Sequence, residues 1–400
     1  WFESMKNSSS YQHENRCYKI TSKNIYKGNS TLSSGHIVFD SSGIQAIDDD
    51  KSTPNIELNI GDRLLLPGII DLHGDSWENT MMPRANIYFD PKKSLLSLDK
   101  ELACSGITTA YLAQGYSWEG RTRSPEAAEN FLKLFSEYKH LMQADVRVQI
   151  RLETELKNSA EKICQLISDH NIDYLAFNNH IPQAKHQRDK SPLDFANWAE
   201  KRGITVEELS NIVDAYLDHD NKETSINTAK VAEFLKKRGL TIGSHDDKTI
   251  ETRQFYRSLG ADVCEFPVVK EVAADAKKNN ETIIMGAPNV ARGGSHTNNI
   301  AAEELIRENL CDVLVSDYYL PALIQAVEVI TKKEIMPFCE AWNLISLNPA
   351  EALGFFDRGV IKIGNRADLV IVNPETFEVE ATISNGSFTY LRDSIIACFH

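Results

Sequence analysis

The sequence of 400 residues has no excess of positive charge, no paired cysteines and no long apolar run. Its formal net charge of -14 argues against nucleic acid or an anionic membrane as a partner, because the overall field repels both. The seven cysteines never occur in CxxC spacing, so neither a disulfide framework nor a zinc knuckle is indicated. No stretch approaches the roughly 20 apolar residues that span a bilayer, and the polar start lacks the apolar core of a signal peptide. We therefore expect a cytoplasmic protein with no nucleic-acid or membrane partner.

What the sequence does contain is an alternation of short apolar runs with longer helix-like stretches, the pattern of repeated βα units. The candidate strands are at 64–71, 108–113, 146–153, 174–179, 240–245, 262–268, 281–287 and 312–317. Eight parallel strands are the number that closes a TIM barrel. We therefore predict an α/β fold in which residues 63–354 form a TIM (β/α)8 barrel.

Both ends of the chain have the alternating pattern of β-strands rather than of helices. Neither residues 1–62 nor residues 355–400 could bury a core alone, so we expect them to pair into one small β-sandwich domain. The segment 183–227 is too long for an ordinary loop between a strand and a helix. It predicts a helical insertion near the barrel mouth.

Several predicted strands end on side chains that bind metal ions. These are Asp71, His73, Asp75 and Glu78 after the first strand, Glu153 after the third, His180 after the fourth, His245, Asp246 and Asp247 after the fifth, and Asp317 after the eighth. In a barrel these strand ends converge on one face. Imidazole and carboxylate groups together are ligands of zinc, manganese or iron(II). One such residue alone is more often a helix cap, the role we favour for Asp247, but the whole set favours a metal centre.

A second group of residues follows the seventh predicted strand, in the segment 286–306. Arg292, Gly293, Gly294, Ser295 and His296 precede a helix, and together they offer a guanidinium, backbone N–H groups and a positive helix end. Such a combination suits a phosphate. Alone it would be interpreted as a plain loop with turn glycines, but opposite a metal centre it favours an anionic substrate.

Several motifs resemble those of the amidohydrolase superfamily. They are "PGIIDLHGD" (67–75), "SGITT" (105–109), "GSHDD" (243–247), "MGAPNVARGGSH" (285–296) and "NPAEALGFFDRGVIKIGNRADLVIVNP" (348–374). Within the superfamily they are similar to hydrolases of the carbon–phosphorus lyase pathway, which release pyrophosphate from a ribose 5-triphosphate. The resemblance implies a TIM barrel with a composite β domain and a two-metal site. In that site His73 and Asp75 would bind one metal, Glu153 would bridge, His180 and His245 would bind the second, and Asp317 would bind metal and handle protons.

The resemblance also implies the cofactors and the substrate class. Two divalent ions are expected, zinc first, with manganese or iron as alternatives, and the substrate would be a small phosphorylated anion attacked at the phosphorus nearest the ribose. The candidates to hold the triphosphate are Arg84, Arg151, Arg292 and the amides of Gly293 and Gly294, with His296 near the leaving pyrophosphate. A homodimer is compatible with these observations.

The chain differs from the pattern of the similar hydrolases at several positions, among them Trp77, which replaces a smaller residue beside Glu78. Gln149 stands where a histidine is usual, Asn179 stands where an aspartate is usual, and the segment 111–123 has an unusual sequence. Two other functions therefore stay open. One is another amidohydrolase reaction, the hydrolysis of a cyclic amide or the deamination of a nucleobase, and the other is a non-catalytic scaffold on the same fold.

Overall fold

The computed structural model of the chain describes residues 16–28, 31–49, 53–84, 87–217, 221–294 and 299–399. These residues form two eight-stranded sheets. One sheet is a barrel, and the other is built from both ends of the chain. None of the helices in these ranges combines the length and the apolar character needed to cross a bilayer.

The barrel consists of parallel strands in sequence order. They are β6 (Ile69–Gly74), β7 (Ile107–Tyr116), β8 (Asp145–Glu153), β9 (Tyr174–Asn178), β10 (Thr241–His245), β11 (Val263–Glu265), β12 (Thr282–Gly286) and β13 (Val313–Val315). A parallel bridge between Gly74 and Asp317 closes the ring. Asp71 reinforces it by accepting hydrogen bonds from the Ser316 backbone N–H and hydroxyl, at 2.9 and 2.6 Å. The prediction of a TIM barrel is confirmed.

The barrel strands are covered on both faces, which explains why they appear in the sequence as continuous apolar runs. Their inward side chains fill the barrel with the cluster Ile70, Leu72, Tyr111, Tyr174, Val263, Ile284, Val313 and Val315. The outward side chains pack against the surrounding helices in a larger cluster. The polar side chains lie at the carboxyl ends of the strands, where they line the open end, or mouth, of the barrel.

Helices follow the barrel strands and form the outer layer. They are α1 (Trp77–Met81), α2 (Pro91–Cys104), α3 (Pro125–Tyr138), α4 (Ala160–Asp169), α5 (Ile181–Lys190), α6 (Pro192–Arg202), α7 (Val206–Leu217), α8 (Asn221–Lys237), α9 (Ile250–Ser258), α10 (Lys270–Lys278), α11 (Ala287–Ala291), α12 (Ala302–Arg307), α13 (Ala322–Lys332), α14 (Phe338–Asn343) and α15 (Leu347–Ala352), with α16 (Asp393–Ile396) at the end of the chain. The start of α3 is typical, because the Ser124 side chain accepts a hydrogen bond from the Ala127 backbone N–H and Pro125 takes the first position. Between β9 and β10 the chain forms α5, α6, α7 and α8 in succession.

The second sheet joins the two ends of the chain around its own core. Its strands are β1 (Tyr18–Tyr26), β2 (Leu32–Asp40), β3 (Gly43–Ile47), β4 (Ile56–Asn59), β5 (Leu64–Pro67), β14 (Leu369–Val372), β15 (Val379–Ser384) and β16 (Ser387–Leu391). They are ordered β16-β15-β14-β5-β1-β2-β3, with β4 also pairing with β1. The antiparallel pairing of β5 with β14 joins the two chain ends. The expectation of a composite β domain is confirmed.

The apolar run at 64–71, predicted as one strand, is two strands in different sheets. Leu64–Pro67 forms β5 of the terminal sheet, and Ile69–Gly74 forms β6 of the barrel. Gly68 lies between them, where a Cβ atom would come within 2.3 Å of the Thr108 hydroxyl oxygen. The chain therefore passes from the terminal sheet to the barrel at the single residue Gly68. Because the residues on both sides of it are apolar, the sequence shows no boundary between the two strands.

Candidate metal centre

The first part of the site lies where the barrel closes, between the ends of β6 and β13. His73 is only 1% exposed. The backbone N–H of Asp317 donates to the His73 carbonyl at 3.0 Å, and that of Asp75 donates to the Asp317 carbonyl at 2.8 Å. Burial, with the negative charge of Asp75, raises the pKa of the Asp317 carboxyl to about 6. A carboxyl whose negative charge is disfavoured by a neighbouring carboxylate is suited to share a cation with it.

An arginine from the loop after β7 balances part of this negative charge. The Arg123 Nε donates to Glu78 Oε1 at 2.9 Å, and Arg123 Nη2 lies 3.4 Å from Asp75 Oδ2. Its third nitrogen, Nη1, lies 3.5 Å from Glu119 Oε2. Arg123 therefore connects the end of β6 to the loop after β7 and holds Asp75 at the mouth.

The second part of the site is formed by His245 at the end of β10 and Glu265 at the end of β11. His245 Nδ1 lies 2.9 Å from Glu265 Oε2, and Arg151 Nη2 lies 2.8 Å from His245 Nε2. Burial and the charge of Arg151 lower the pKa of His245 to about 4. Since a guanidinium can only donate, Nε2 of the neutral ring must accept, and the ring hydrogen sits on Nδ1.

The third part is a buried pair, Glu153 at the end of β8 and His180 before α5. Glu153 accepts hydrogen bonds from Trp118 Nε1 at 3.1 Å, Asn178 Nδ2 at 2.5 Å and the His180 backbone N–H at 3.1 Å. Its Oε1 also contacts His180 Nδ1. Burial disfavours the charged imidazolium, but Glu153 outweighs that effect and raises the pKa of His180. The Nδ1 side of this ring is thus occupied by Glu153, and Nε2 is directed elsewhere.

Two imidazoles converge on one further carboxylate. Asp246 Oδ2 lies 4.0 Å from His180 Nε2 and 3.7 Å from His245 Nε2. Asp246 adopts a left-handed backbone conformation, with φ of 58°. The Nε2 atoms of His180 and His245 therefore face a common region next to this oxygen.

Helices α6 and α7 reach the same region from above the barrel. Trp198 Nε1 donates to Glu119 Oε1 at 3.0 Å, and Arg202 Nη2 donates to the same oxygen at 2.9 Å. The ring of Trp118 lies 6.0 Å from the rings of both Trp198 and Tyr216. The helices between β9 and β10 therefore hold the loop that carries Trp118 and Glu119.

The site offers two buried sets of ligand-type side chains. His73, His245 and Glu265 form one set, and Glu119, Glu153 and His180 form the other, with the ligand atoms of each set within 4.8 Å of one another. Imidazole with carboxylate is a donor set that fits a divalent cation. The grouping implied by the resemblance, His73 with Asp75 and His180 with His245, stays a prediction; the Nε2 atoms of His180 and His245 do face the same region next to Asp246.

Only one of the three candidate phosphate-binding arginines is inside the site. Arg151 is 7% exposed and contacts His245. Arg292 is exposed near the mouth and donates to the Tyr318 hydroxyl at 3.3 Å. Arg84 is exposed beyond α1. The sequence did not distinguish these three environments.

The glycine loop after β12 differs from the expected phosphate cradle. The Gly293 N–H donates to the Val290 carbonyl at 3.1 Å, and the Gly294 N–H donates to the Asn289 carbonyl at 2.9 Å. Neither amide is free for an anion in this conformation. His296 lies outside the described residues.

Sequence reasoning did not select Glu119 or Glu265 as site residues. A signal for Glu265 was present, because a carboxylate within an otherwise apolar strand needs a buried partner. The capping role favoured for Asp247 was wrong, since the cap of α9 is Thr249, whose side chain accepts from the Thr252 N–H. Asp247 instead accepts from the Ser244 hydroxyl at 2.5 Å.

Comparison with known proteins supports the superfamily suggested by the motifs. A model described as the amidohydrolase family matches residues 196–390. Over 315 residues the chain is 30% identical to the alpha-D-ribose 1-methylphosphonate 5-triphosphate diphosphatase of Escherichia coli (strain K12), covering 77% of this chain and 83% of that protein.

Solved structures share the fold at low identity. N-acetylglucosamine-6-phosphate deacetylase from Pasteurella multocida is 14% identical with a TM-score of 0.63, covering 94% of this chain and 100% of that chain. Beta-aspartyl dipeptidase from Fervidobacterium islandicum AW-1 is 15% identical with a TM-score of 0.63, covering 95% of this chain and 98% of that chain. The chain belongs to the amidohydrolase family and is a hydrolase of that superfamily.

Proposed function

We propose that the chain hydrolyses the 5-triphosphate of a ribose bearing a methylphosphonate at C1, giving the 5-phosphate and pyrophosphate. In the proposed reaction, water attacks the phosphorus nearest the ribose. The sequence identity with the diphosphatase of Escherichia coli supports this substrate class. The structural observation that carries the proposal is the buried positive charge of Arg151.

Arg151 lies on β8, two residues before Glu153, and its guanidinium is inside the barrel mouth. Nη2 contacts His245, whereas Nε is buried without a hydrogen-bond partner among the described residues. A buried guanidinium with an unused donor beside cation ligands suits a phosphoryl oxygen, which accepts charge-assisted hydrogen bonds. A neutral cyclic amide or nucleobase could accept a hydrogen bond from this donor but would bring no negative charge to compensate the guanidinium.

The residues that would hold the divalent ions are the six predicted from the sequence: His73, Asp75, Glu153, His180, His245 and Asp317. The ions, which we expect to be two zinc ions, would supply Lewis-acid chemistry by activating water at neutral pH and neutralising phosphoryl charge. Asp246 is a further carboxylate close to both His180 and His245.

Asp317 is the group we assign to proton transfer. In the metal-free protein burial and the charge of Asp75 raise the pKa of this carboxyl to about 6, and a carboxylate beside activated water is suited to act as a general base. It would accept the proton of the attacking water at a carboxylate oxygen. Arg151, and Arg292 from the rim, would hold the phosphoryl groups and stabilise the negative charge that develops on them.

The test is product analysis with purified protein supplied with zinc or manganese. The substrates are the ribose methylphosphonate 5-triphosphate, ATP, dihydroorotate as a cyclic amide, cytosine as a base, and N-acetylglucosamine 6-phosphate. We expect pyrophosphate from the first compound and loss of that activity in Asp317→Asn. Leu193→Ala, a substitution at a side chain 74% exposed on α6, serves as the control and should retain activity.

Two results would contradict the proposal. One is hydrolysis of an amide or deamination of a base with no pyrophosphate from any triphosphate, which would favour a different amidohydrolase reaction. The other is the absence of any product from every compound with metal bound, which would favour a non-catalytic scaffold on the same fold.

A further inference from the structure

Glu265 is a fully buried carboxylate that no part of the proposed reaction uses. It lies at the end of β11, with 0% exposure, beside the Nδ1 atoms of His73 and His245. These rings stack with centroids 5.2 Å apart and an interplanar angle of 19°. The ring of Phe266 meets both of them edge-on, at 5.2 and 4.9 Å. Such burial of a charge is costly unless its oxygens are fully engaged.

Both carboxylate oxygens of Glu265 have partners. Oε1 accepts hydrogen bonds from Gln149 Nε2 and from the Tyr174 hydroxyl. Oε2 lies 2.9 Å from His245 Nδ1 and 3.2 Å from His73 Nδ1, the latter in an ion-pair contact that is not aligned as a hydrogen bond. A carboxylate offers about four lone-pair sites. Three of these sites accept hydrogen bonds, which fix the orientation of the Glu265 carboxylate against the two imidazole rings.

The contact on the other side of His245 fixes the tautomer of that ring. Arg151 donates to Nε2, so the hydrogen of the neutral ring is on Nδ1 and points at Glu265. His73 presents its Nδ1 to the same oxygen in a nearly parallel ring. The Glu265 carboxylate thus faces the Nδ1 atoms of two histidines, one at the end of β6 and the other at the end of β10.

We propose that Glu265 is a positioning residue: it holds His73 and His245 with the hydrogen on Nδ1, so that both Nε2 atoms present a lone pair to the metal centre, and Gln149 and Tyr174 fix its own orientation. This inference rests on the metal dependence in the proposed function. Carboxylates that orient ligating histidines in this way commonly change metal affinity when removed.

The experiment compares wild type with Glu265→Gln and Tyr174→Phe. Zinc affinity is measured by competition with a chromogenic chelator, without any assay of activity. We expect Glu265→Gln to bind zinc about 10- to 100-fold more weakly. Tyr174→Phe removes one donor to Oε1 and keeps the ring, so we expect roughly 2- to 10-fold weaker binding. If Glu265→Gln does not fold, Tyr174→Phe alone still tests the proposal.

Glu281→Gln is the matched control, because Glu281 is also a buried, ion-paired carboxylate. It pairs with Arg253 at 2.9 Å and with Arg257. Loss of this carboxylate is expected to lower the free energy of unfolding but to leave zinc affinity within twofold of wild type. A similar loss of zinc affinity in the control would overturn the proposal, since any buried carboxylate would then have the same effect.

Two spectroscopic measurements separate positioning from direct ligation. ¹⁵N chemical shifts of labelled histidines in the metal-free protein should show the Nδ1–H tautomer for His73 and His245. The visible absorption of bound Co²⁺, which depends on coordination number, should have the same intensity in Glu265→Gln and wild type. Wild-type Nε2–H tautomers, or a changed coordination number in the variant, would overturn the inference.

The two proposals fail in different ways. If the expected affinities and tautomers are found but no triphosphate releases pyrophosphate, the diphosphatase proposal fails and the role of Glu265 stands. If wild type releases pyrophosphate while Glu265→Gln binds zinc like wild type, the role proposed for Glu265 fails and the diphosphatase proposal stands. A wild-type chain that binds no divalent ion would overturn both.

Discussion

Asp317 is held in a backbone and electrostatic environment that favours reactivity over stability. It has a left-handed backbone conformation, with φ of 55°, which is uncommon for a residue with a side chain. Its carboxyl is largely buried near Asp75, so its negative charge is disfavoured in the metal-free protein. Residues at such sites often reduce the stability of the folded state.

This cost predicts that Asp317→Asn stabilises the metal-free protein at alkaline pH. The folded-state pKa rises from 3.8 to about 6. The stability contributed by the protonated carboxyl is therefore complete below pH 4 and is lost as the pH rises through 6. We expect the variant to exceed wild type by about 1–3 kcal/mol at pH 8 and to match it at pH 4, as measured by urea unfolding after chelation. A larger gain at pH 4 than at pH 8 would show that the sign is wrong.

Arg151 gives a second prediction at this scale, because it contacts His245 Nε2 without being a metal ligand. Arg151→Met removes the guanidinium that we assign to the phosphoryl group and also a competitor for that nitrogen. We expect kcat/KM for the triphosphate to fall about 100-fold. Zinc affinity should be unchanged or higher, as measured by chelator competition. Weaker zinc binding with unchanged kcat/KM would contradict the assigned role.

The residues of the site could be predicted only in part. The rule that barrel strands end at one face was enough to select His73, Glu153 and Asp317. It could not select the partners of Glu119, because Trp198 and Arg202 are about 80 residues further along the chain and approach only through the fold. It also could not show that the Gly293 and Gly294 amides are used within their own turn.

At the scale of elements, helices α6 and α7, which lie between β9 and β10, contact the loop after β7 that carries Trp118 and Glu119. Trp198 on α6 connects directly to Glu119, and Trp118 in the same loop donates to Glu153. The position of α6 therefore affects a candidate metal ligand through one short loop. Loops held by added helices in this way often control specificity in barrels.

Trp198→Phe tests this coupling, because it keeps an aromatic ring and removes the N–H that donates to Glu119. We expect kcat/KM to fall about tenfold, equivalent to about 1.4 kcal/mol, because the loop is less well held. The free energy of unfolding should fall by about 1–3 kcal/mol. Leu193→Ala on the same helix should change neither quantity, as measured by steady-state kinetics and urea unfolding. Equal kinetics in Trp198→Phe and wild type would show that α6 does not affect the site.

The elements themselves could be largely predicted, and the exception has a physical cause. The barrel strands were detectable because burial on both faces produces continuous apolar runs. For the same reason the boundary between β5 and β6 was invisible, since both strands are apolar on either side of Gly68. Only pairing with distant strands, β14 for one and β7 for the other, separates them.

At the scale of the whole molecule, the terminal sheet and the barrel are joined by buried polar contacts as well as by the chain. Thr382 of β15 donates to the Ala103 carbonyl at 2.7 Å, and Trp342 donates to the Pro67 carbonyl at 3.1 Å. Arg358 Nη1 donates to Asp145 Oδ2 at 2.7 Å. Separating the terminal sheet from the barrel would therefore break these hydrogen bonds and expose their polar groups.

We therefore expect the two sheets to unfold in one transition. Tryptophan fluorescence reports mainly on the barrel, through Trp77, Trp118 and Trp198, since Trp342 also contacts the terminal sheet at Pro67. Hydrogen exchange of peptides from β14, β15 and β16 reports on the terminal sheet. The two urea midpoints should coincide. Two separate midpoints would show that the terminal sheet is an independent unit.

Hydrolysis in ¹⁸O-labelled water tests most directly whether this barrel activates water against the phosphorus nearest the ribose. The ribose methylphosphonate 5-triphosphate is turned over by the zinc-loaded protein, and both products are analysed by mass spectrometry. We predict one ¹⁸O atom in the sugar 5-phosphate and none in the pyrophosphate. Label in the pyrophosphate would place the attack at the next phosphorus, and the absence of turnover with zinc bound would contradict the diphosphatase assignment itself.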